Sequence, residues 1–473
     1  MKKTKIVCTI GPACSDGAMM EKMIRAGMNV ARFNFSHGDH EYHKALMDTF
    51  KSVRDKLKVP AAILLDTKGP EIRLKDFEGG RVHLKRGSEF RLTAREIIGN
   101  EHEASISFGP LVGQLDVGTR ILIDDGKVAL VVKENTDTDI VCRVDVGGSV
   151  SNRKSINIPN TSIDMPYLSA QDEQDLLFGI RENVDFVAAS FVRCKENVIE
   201  LRRFLNYHGG HDIKIIAKIE NMEGVNNFDA ILAESDGIMV ARGDMGVEIA
   251  FERLPGIQKS FIRKCYSAGK MVITATQMLE SMVHSQTPTR AEITDVANAV
   301  FDGTSAVMLS GETAAGDHPE LVVKVMSRIA EQAEQDAKAL GTFAGIVYDN
   351  EARNITNAMC DAAVTTARDI NADLIIAVTK SGSTARLVSK FRPDQPIIAA
   401  TPEVKTFHQL SLSWGVLPVI SLCQNDSETL FRHAIDCAKQ LGLANPGEKA
   451  VITAGVPLNL AGTTNLLKVE VIS

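Results

Sequence analysis

A lysine and a glutamate stand two residues apart at the end of one apolar run. The run extends from Ile213 to Ile219, contains Lys218 near its end and is followed directly by Glu220. Side chains two residues apart in a β-strand point to the same face, so the two charges would lie side by side at the carboxyl end of a buried strand. Isolated buried charges are costly, so the pair is either a structural ion pair or part of a reactive site.

Seven other short apolar runs alternate with amphipathic stretches of helical periodicity. Most of the eight runs are apolar on both faces, which is typical of strands in a parallel sheet covered by helices. This alternation predicts an α/β fold with a (β/α)8, or TIM, barrel. The predicted strands cover residues 5–11, 30–36, 61–67, 186–192, 214–220, 237–244, 271–277 and 306–313, and the predicted helices include 17–26, 40–57, 196–208, 254–268 and 289–301.

Residues 70–165 interrupt this alternation between the third and fourth strands. They contain short apolar runs separated by glycine, aspartate and asparagine, which predicts a small antiparallel β-barrel domain. The insertion follows a barrel strand, on the side where such barrels carry their active sites, so a lid is its natural role. The barrel would then comprise residues 1–69 and 166–342.

A second α/β pattern occupies residues 343–473. Predicted strands at 374–379, 396–401, 416–421, 450–454 and 467–471 indicate an open, doubly wound sheet. A loop of small polar residues follows the first of these strands and precedes a helix, where hydroxyl and N–H groups form a phosphate cradle. Spacing alone favours an ordinary capped turn over a phosphate site. The loop consists of Thr379, Lys380, Ser381, Gly382, Ser383 and Thr384.

Polar side chains collect at the predicted ends of five barrel strands. In a (β/α)8 barrel these ends meet at one face, where the active site is built. Five polar ends on one face are harder to explain by structure alone than one. The residues are Arg32, Asn34, Ser36 and His37 on the second strand, Asp66, Thr67 and Arg73 at and beyond the third, Lys218 and Glu220 on the fifth, Arg242, Gly243 and Asp244 on the sixth, and Thr274, Thr276 and Gln277 on the seventh.

The residue types at this face indicate phosphoryl transfer. Arg32, Arg73 and Lys218 can bind a compact, highly charged phosphoryl group. Glu220 and Asp244 offer hard oxygen ligands for a divalent ion such as Mg2+. The reaction needs positioning and charge neutralisation more than it needs a nucleophile with its base.

Two further groups at this face offer binding sites for smaller charges. The backbone amides beside Gly243 can hold a carboxylate or a phosphate. A set of oxygen-bearing side chains with a single negative charge suits a weakly held monovalent cation. That set consists of Asn34, Ser36, Asp66 and Thr67.

The composition excludes several classes of protein. A formal net charge of −7 argues against a general nucleic-acid or membrane surface, and no apolar stretch is long enough to span a bilayer. The eight cysteines are scattered without a C-x-x-C pair, which argues against a thiolate zinc site. Free thiols are typical of a reducing compartment, so we expect a cytoplasmic protein without nucleic-acid or membrane partners.

Five long segments resemble the pyruvate kinase family, and the resemblance covers the whole chain. It implies transfer of the phosphoryl group of phosphoenolpyruvate to ADP, giving pyruvate and ATP, the last step of glycolysis. It also implies a homotetramer. The segments are ARFNFSHG at 31–38, DTKGPEIR at 66–73, IAKIENMEG at 216–224, MVARGD at 239–244 and TATQMLES at 274–281.

The resemblance implies a role for each residue at the barrel face. Lys218 would stabilise the phosphoryl transition state and the enolate oxygen. A basic loop in the lid contributes Lys154, and Ser155 beside it stands where the family commonly has glycine. The implied sets are Arg32, Arg73, Lys218 and Thr276 for catalysis, Arg32, Lys218, Gly243, Asp244 and Thr276 for phosphoenolpyruvate, Asn34, Phe35, Ser36, His37, Arg73 and Lys154 for the nucleotide, Glu220 and Asp244 for Mg2+ or Mn2+, and Asn34, Ser36, Asp66 and Thr67 for K+.

Three further expectations follow from the resemblance. In the family a glutamate at the position of Glu71 goes with K+ dependence, because a carboxylate cannot replace the cation as a lysine would. Protonation of the enolate would use a water chain that ends near Thr276 or Ser310. The loop 379–384 matches a sugar-phosphate effector site, and its partner segment would be 455–464, although residues 457–460 lack an arginine.

Two other functions compete with a phosphotransferase. A lyase or mutase of the phosphoenolpyruvate barrel type also needs Mg2+ and arginines, but it needs neither a lid of this size nor ADP. A silent metabolite sensor would use the C-terminal domain alone. A sensor has no need of the set formed by Lys218, Glu220, Asp244 and Thr276.

Overall fold

The computed structural model describes residues 2–343, 354–423, 426–457 and 463–473. The centre of the second predicted effector segment, 458–462, lies outside the described residues. In chain order the strands are β1 (Lys5–Thr9), β2 (Val30–Asn34), β3 (Ala62–Asp66), β4 (Ile72–Arg73), β5 (Arg81–Leu84), β6 (Glu89–Thr93), β7 (Glu103–Ser105), β8 (Arg120–Ile123), β9 (Val128–Asn135), β10 (Asp139–Val146), β11 (Gly148–Ser151), β12 (Ser155–Asn157), β13 (Phe186–Ala189), β14 (Lys214–Ile219), β15 (Gly237–Ala241), β16 (Met271–Ala275), β17 (Ala306–Leu309), β18 (Leu374–Val378), β19 (Ile397–Thr401), β20 (Val416–Ile420), β21 (Lys449–Gly455) and β22 (Thr464–Val471).

The α-helices alternate with the barrel strands and with the strands of the C-terminal sheet. They are α1 (Gly17–Ala26), α2 (His40–Leu57), α3 (Ala170–Arg181), α4 (Lys195–Tyr207), α5 (Met222–Asn226), α6 (Phe228–Glu234), α7 (Arg242–Glu248), α8 (Leu254–Ser267), α9 (Arg290–Phe301), α10 (Gly311–Ala314), α11 (Pro319–Ala339), α12 (Ile355–Asp369), α13 (Ser383–Lys390), α14 (Val404–Gln409) and α15 (Ser427–Gln440).

Helix starts in the barrel follow the capping residues of the sequence. The side chain of Asp16 accepts a hydrogen bond from the first turn of α1, and Asp39 does the same for α2. At the end of α1, Gly27 has a φ of +123°, which a residue with a side chain rarely adopts. The bounds of both helices agree with the predicted ranges.

Eight parallel strands close into a barrel in the order β1, β2, β3, β13, β14, β15, β16 and β17. Nearly all their residues are buried, because side chains alternate between the barrel interior and the covering helices. The eight predicted strands are confirmed, but each ends earlier than predicted. The chain leaves the sheet at the polar residues and, after β15, enters α7 directly at Arg242.

The inserted residues form a separate curled sheet with its own core. The strand order is β4, β12, β8, β9, β10, β6 and β7, and a second pair joins β5 to β11. Phe90, Leu130 and Val144 lie at the centre of an apolar cluster that belongs to this sheet alone. The antiparallel prediction is confirmed except for β6 and β7, which pair in parallel because residues 94–102 carry the chain back before β7 begins.

The C-terminal sheet has the order β20, β19, β18, β21 and β22. Ile375 and Ala377 face α12 and α13, whereas Ile376 and Val378 face α15, so helices cover both sides as predicted. The last strand, β22, runs antiparallel to β21, because the segment between Gly455 and Thr464 is too short for the crossover that a parallel strand needs. No helix among the described residues is long and apolar enough to cross a membrane.

Helix α14 joins the C-terminal domain to the barrel. The Lys405 ammonium donates to the Asn183 side-chain oxygen over 2.7 Å. The Gln409 amide donates to the carbonyl oxygens of Asp185 (3.1 Å) and Asp212 (2.8 Å). These acceptors precede β13 and β14, so α14 covers the amino end of the barrel, opposite the polar strand ends.

Candidate active site

The Lys218 ammonium lies at the centre of the polar face. Lys218 is the penultimate residue of β14. Its Nζ is 2.9 Å from Oε1 of Glu220 and 3.1 Å from Oδ1 of Asp66. It also donates to the Ser190 hydroxyl over 2.7 Å. All three partners are almost completely buried. The ion pair predicted from the two-residue spacing therefore exists, and it forms part of a larger buried cluster.

Asp66 connects Lys218 to Arg32. The Arg32 Nε donates to Asp66 Oδ2 over 2.6 Å, and its Nη1 donates to the Thr9 hydroxyl over 2.9 Å. Burial would raise the pKa of Asp66, but the charges of Arg32 and Lys218 outweigh it and hold that pKa below its ordinary value. Asp66 is thus a buried carboxylate that keeps two cationic side chains in place.

Glu220 has the opposite electrostatic environment. Burial raises its pKa above the ordinary value, and the nearby charge of Asp244 adds to the rise, although Lys218 opposes it. Its second oxygen accepts a hydrogen bond from the amide of Phe191 over 2.6 Å. Two carboxylates that disfavour each other's charge are a fitting donor set for a divalent cation, which would relieve the repulsion.

The described residues contain no group of three or more histidine, cysteine, aspartate or glutamate side chains arranged to hold a metal. If Glu220 and Asp244 bind a divalent ion, substrate oxygens and water would fill its other positions. That division is usual for Mg2+, which retains several waters and binds substrate phosphates.

The strand ends of β15 and β16 are joined by hydrogen bonds. The Gly243 amide, in the first turn of α7, donates to the Thr276 hydroxyl over 2.8 Å. Thr276 and Gln277 have positive φ angles of 70° and 55°, a strained conformation for residues with side chains. The Arg242 guanidinium donates to the carbonyl oxygens of Ala275 and Thr276, so it holds this strained turn against α7.

Part of the predicted K+ set lies together at the ends of β2 and β3. Asn34 and Asp66 are register partners on these neighbouring strands, and Thr67 follows Asp66 directly. The Ser36 amide donates to the Asn34 side-chain oxygen over 3.2 Å. The Phe35 amide donates to the Asp66 carbonyl over 3.0 Å.

The residues predicted to reach the nucleotide divide between the barrel and the lid. Phe35 is buried, and its ring stacks on His43 at 4.1 Å, so this residue anchors its loop. Arg73 and Lys154 belong to the lid. The Arg73 guanidinium lies 2.7 Å from Glu71 Oε2, and the Lys154 ammonium lies 2.9 Å from Asp124 Oδ1.

The loop 379–384 lies between β18 and α13, at the point where the strand order of the C-terminal sheet reverses. Ligands of open α/β sheets commonly bind at this point. The Thr379 hydroxyl accepts from the Gly382 amide over 3.0 Å, and the Thr384 hydroxyl shares a 2.7 Å hydrogen bond with Thr464. Lys380 is exposed, whereas Ser381 and Ser383 are half-buried.

Sequence reasoning missed two residues of the barrel face. Ser190 directly follows the fourth strand, which carried no predicted site residue, and it contacts Lys218 directly. Arg242 was named among the polar strand ends without a role. The sequence offers only a weak signal for the first of them, a serine in the segment SFVR, at 190–193, directly after an apolar strand.

The chain matches two family models, pyruvate kinase, barrel domain, over residues 1–323 and pyruvate kinase, alpha/beta domain, over residues 357–470. It is 47% identical to the pyruvate kinase of Clostridium acetobutylicum over 473 residues, with both chains fully covered. It is 47% identical to the pyruvate kinase of Staphylococcus haemolyticus over 476 residues, with 100% of this chain and 81% of the relative covered.

A solved structure supports the same assignment. The crystal structure of a pyruvate kinase from Cryptosporidium parvum superposes with a TM-score of 0.92 at 41% identity, covering 100% of this chain and 96% of the other. Sequence and structure agree over the barrel, the lid and the C-terminal domain. The chain therefore belongs to the pyruvate kinase family.

Proposed function

We propose that this protein transfers the phosphoryl group of phosphoenolpyruvate to ADP, giving pyruvate and ATP. The observation that carries the proposal is the Lys218 ammonium, held among Asp66, Glu220 and Ser190 beside Arg32 at the carboxyl face of the barrel. A preorganised cluster of cations is what a transferring phosphoryl group requires, because the transition state spreads negative charge over its oxygens.

Lys218 serves the step in which the phosphoryl group leaves the enolate. Its ammonium stabilises the charge on the transferring oxygens and then the charge on the enolate oxygen. Arg32 holds the phosphoryl group from β2. The Gly243 amide and the Thr276 hydroxyl hold the substrate carboxylate, after they exchange their present acceptors for its oxygens. The hydrogen bond between Gly243 and Thr276 marks the place where these two groups converge.

Glu220 and Asp244 are the proposed ligands of Mg2+ or Mn2+, because they are the carboxylates whose repulsion a divalent ion relieves. When bound, the ion neutralises charge on the phosphoryl oxygens. Asn34, Ser36, Asp66 and Thr67 are the proposed K+ ligands. The nucleotide would contact the segment from Asn34 to His37 and, on lid closure, Arg73 and Lys154, after these two exchange their lid partners for phosphate oxygens.

Protonation of the enolate at carbon completes the reaction. We assign this step to a water chain that ends near Thr276 or Ser310, because a free threonine hydroxyl is a poor acid at neutral pH. The Thr276 hydroxyl already donates its proton to the Ala275 carbonyl over 2.6 Å, which also argues against this hydroxyl as the direct proton donor.

The loop 379–384 is the proposed site for a sugar-phosphate effector. Its place at the reversal of the strand order, together with the exposed Lys380, supports a phosphate group there. A homotetramer would allow effector binding to reach the active site through rotation of subunits.

The test is pyruvate formation from phosphoenolpyruvate with each component omitted in turn. Turnover should need ADP, Mg2+ and K+ together. Loss of phosphoenolpyruvate without ADP would favour the lyase or mutase alternative, and binding without turnover would favour the sensor.

The K+ requirement can be tested separately by replacing the cation and by mutating Glu71. Its side chain is half-buried and paired with Arg73, so a carboxylate stands where a lysine could supply a fixed cation. Replacing K+ by a bulky organic cation should lower turnover at least about tenfold, and Glu71→Lys should reduce that dependence. Full turnover of the wild type without K+ would contradict the K+ site.

A further inference from the structure

Ser190 directly follows the fourth strand of the barrel, β13, and its side chain lies inside the catalytic cluster. It is 1% exposed, and its hydroxyl accepts a 2.7 Å hydrogen bond from the Lys218 ammonium. We propose, on the basis of the phosphoryl transfer assigned above, that Ser190 is a positioning residue that aims the Lys218 ammonium at the reacting oxygens while cations occupy the neighbouring carboxylates.

The hydrogen-bond pattern fixes which way the Ser190 hydroxyl faces. A hydroxyl has one proton to donate, and the 2.6 Å contact with the Thr67 carbonyl takes it in preference to the 3.3 Å contact with Asp66. Toward Lys218 the hydroxyl is therefore an acceptor. The three N–H groups of Lys218 are thus directed to Ser190, Glu220 and Asp66.

The three partners of Lys218 differ in what happens to them when ligands bind. Glu220 is a proposed ligand of the divalent ion, so its contact with Lys218 weakens when the ion binds. Asp66 is already shared with Arg32 and belongs to the proposed K+ set. The neutral hydroxyl of Ser190 is a proposed ligand of neither the divalent ion nor K+, so it keeps its hydrogen bond to the Lys218 ammonium when both ions bind. The N–H group that Glu220 releases can then donate to the substrate.

The surroundings of Ser190 keep its hydroxyl in this place. Its amide donates to the Thr67 hydroxyl over 3.2 Å, and its carbonyl accepts from the Tyr167 hydroxyl over 3.2 Å. A Cβ atom at Gly69 would lie 2.8 Å from the Ser190 Cβ, so only glycine fits on that side. Gly69 also has a φ of +73°. A rigid acceptor of this kind is what catalytic positioning requires.

The competing explanation is that Ser190 is an ordinary buried serine that satisfies a backbone carbonyl. Ser235 is a matched control, because it is also buried and its hydroxyl donates to the Ile231 carbonyl over 2.9 Å, outside the catalytic cluster. Ser190→Ala and Ser235→Ala should lower the melting temperature to a similar extent. Only Ser190→Ala removes a hydrogen-bond acceptor of the Lys218 ammonium.

The experiment measures kcat, KM and the activation constants for Mg2+ and K+ in the wild type, S190A and S235A. We expect kcat of S190A to fall about tenfold to a hundredfold, because displacement of a catalytic group by about 1 Å has effects of that size. The KM for phosphoenolpyruvate and both activation constants should stay within about twofold. S235A should retain the wild-type kcat.

Three outcomes overturn the inference. In the first, S190A keeps a kcat within about twofold of the wild type. In the second, its metal activation constants and KM change as much as its kcat, which indicates a disrupted site. In the third, S235A loses as much kcat as S190A. If S190A does not fold, Ser190→Cys retains a weak donor and acceptor and carries the same expectation of lower kcat at unchanged KM. A wild type without turnover contradicts the proposed function instead.

Discussion

Two regions of this protein are predicted to hold phosphate groups, and they are built in different ways. At the barrel face, Arg32, Asp66 and Lys218 come from three strands far apart in the sequence and form a buried network of ion pairs. In the C-terminal loop, Thr379 bonds to Gly382 three residues away, and the nearby lysine is exposed to solvent.

The difference shows what each region can do without a ligand. The barrel face is already ordered, because opposite charges compensate one another when no substrate is bound, and that order is the preorganisation that catalysis uses. The loop has one weak contact between charges, in which Lys380 lies 3.9 Å from Glu403. A phosphate group would supply the missing negative charge, so the loop suits reversible binding.

The largest expected effect is on the barrel side of this comparison. Lys218→Met removes one of the two cations of the network and leaves Asp66 and Glu220 without the charge of the ammonium. Phosphoryl transfer should fall by at least about a thousandfold. Enolisation of pyruvate, measured by isotope exchange into its methyl group, should continue, and loss of both activities would contradict the division of roles.

A smaller effect should appear in the pH dependence of Mg2+ activation. Burial and Asp244 raise the pKa of Glu220, so this carboxyl begins to take up a proton at a higher pH than an exposed glutamate. A protonated carboxyl cannot bind the ion, so the Mg2+ activation constant should increase several-fold from about pH 8 to about pH 6.

The control for this measurement is Glu248→Gln. Burial also raises the pKa of Glu248, which accepts a hydrogen bond from Asn157 in the lid. If Glu220 is the titrating ligand, the variant keeps the pH dependence of the wild type. A Mg2+ activation constant that does not change with pH would contradict the assignment of Glu220 as a ligand of the ion.

The smallest effect is expected at the loop. Lys380→Gln should weaken activation by sugar phosphates about tenfold, the value of a charge-assisted hydrogen bond. Lys439→Gln, on α15 and outside the loop, should not. Trp414 offers a second readout, since its carbonyl accepts from Ser389 near the end of α13, the helix that begins in the loop. If no sugar phosphate alters activity or fluorescence, the loop is an ordinary turn.

The sequence predicted the barrel well because its strands repeat a strong local pattern. The ends of β2, β3, β14, β15 and β16 could be located from their polar residues, and barrel geometry then implied that they meet. Ser190 could not be recognised in this way, because a single serine after an apolar strand is common. Only the folded structure shows that its hydroxyl contacts the Lys218 ammonium.

Other features depended on contacts that no local pattern reports. The parallel pairing of β6 with β7 and the antiparallel β22 depend on how the connecting segments return the chain. Phe35 was assigned to the nucleotide set as a residue, and the packing of its ring against His43 is a contact that only the folded chain supplies. The positive φ angles of Thr276 and Gln277 are imposed by Arg242 and its hydrogen bonds.

The most direct test of the central claim is to follow the fate of the phosphoryl group itself. Phosphorus NMR of the protein with phosphoenolpyruvate, ADP, Mg2+ and K+ resolves the substrate, ATP and inorganic phosphate. The barrel cluster predicts that the γ-phosphate signal of ATP grows as the phosphoenolpyruvate signal disappears, in equal amounts. Conversion of phosphoenolpyruvate to another phosphorus compound without formation of ATP would contradict the account.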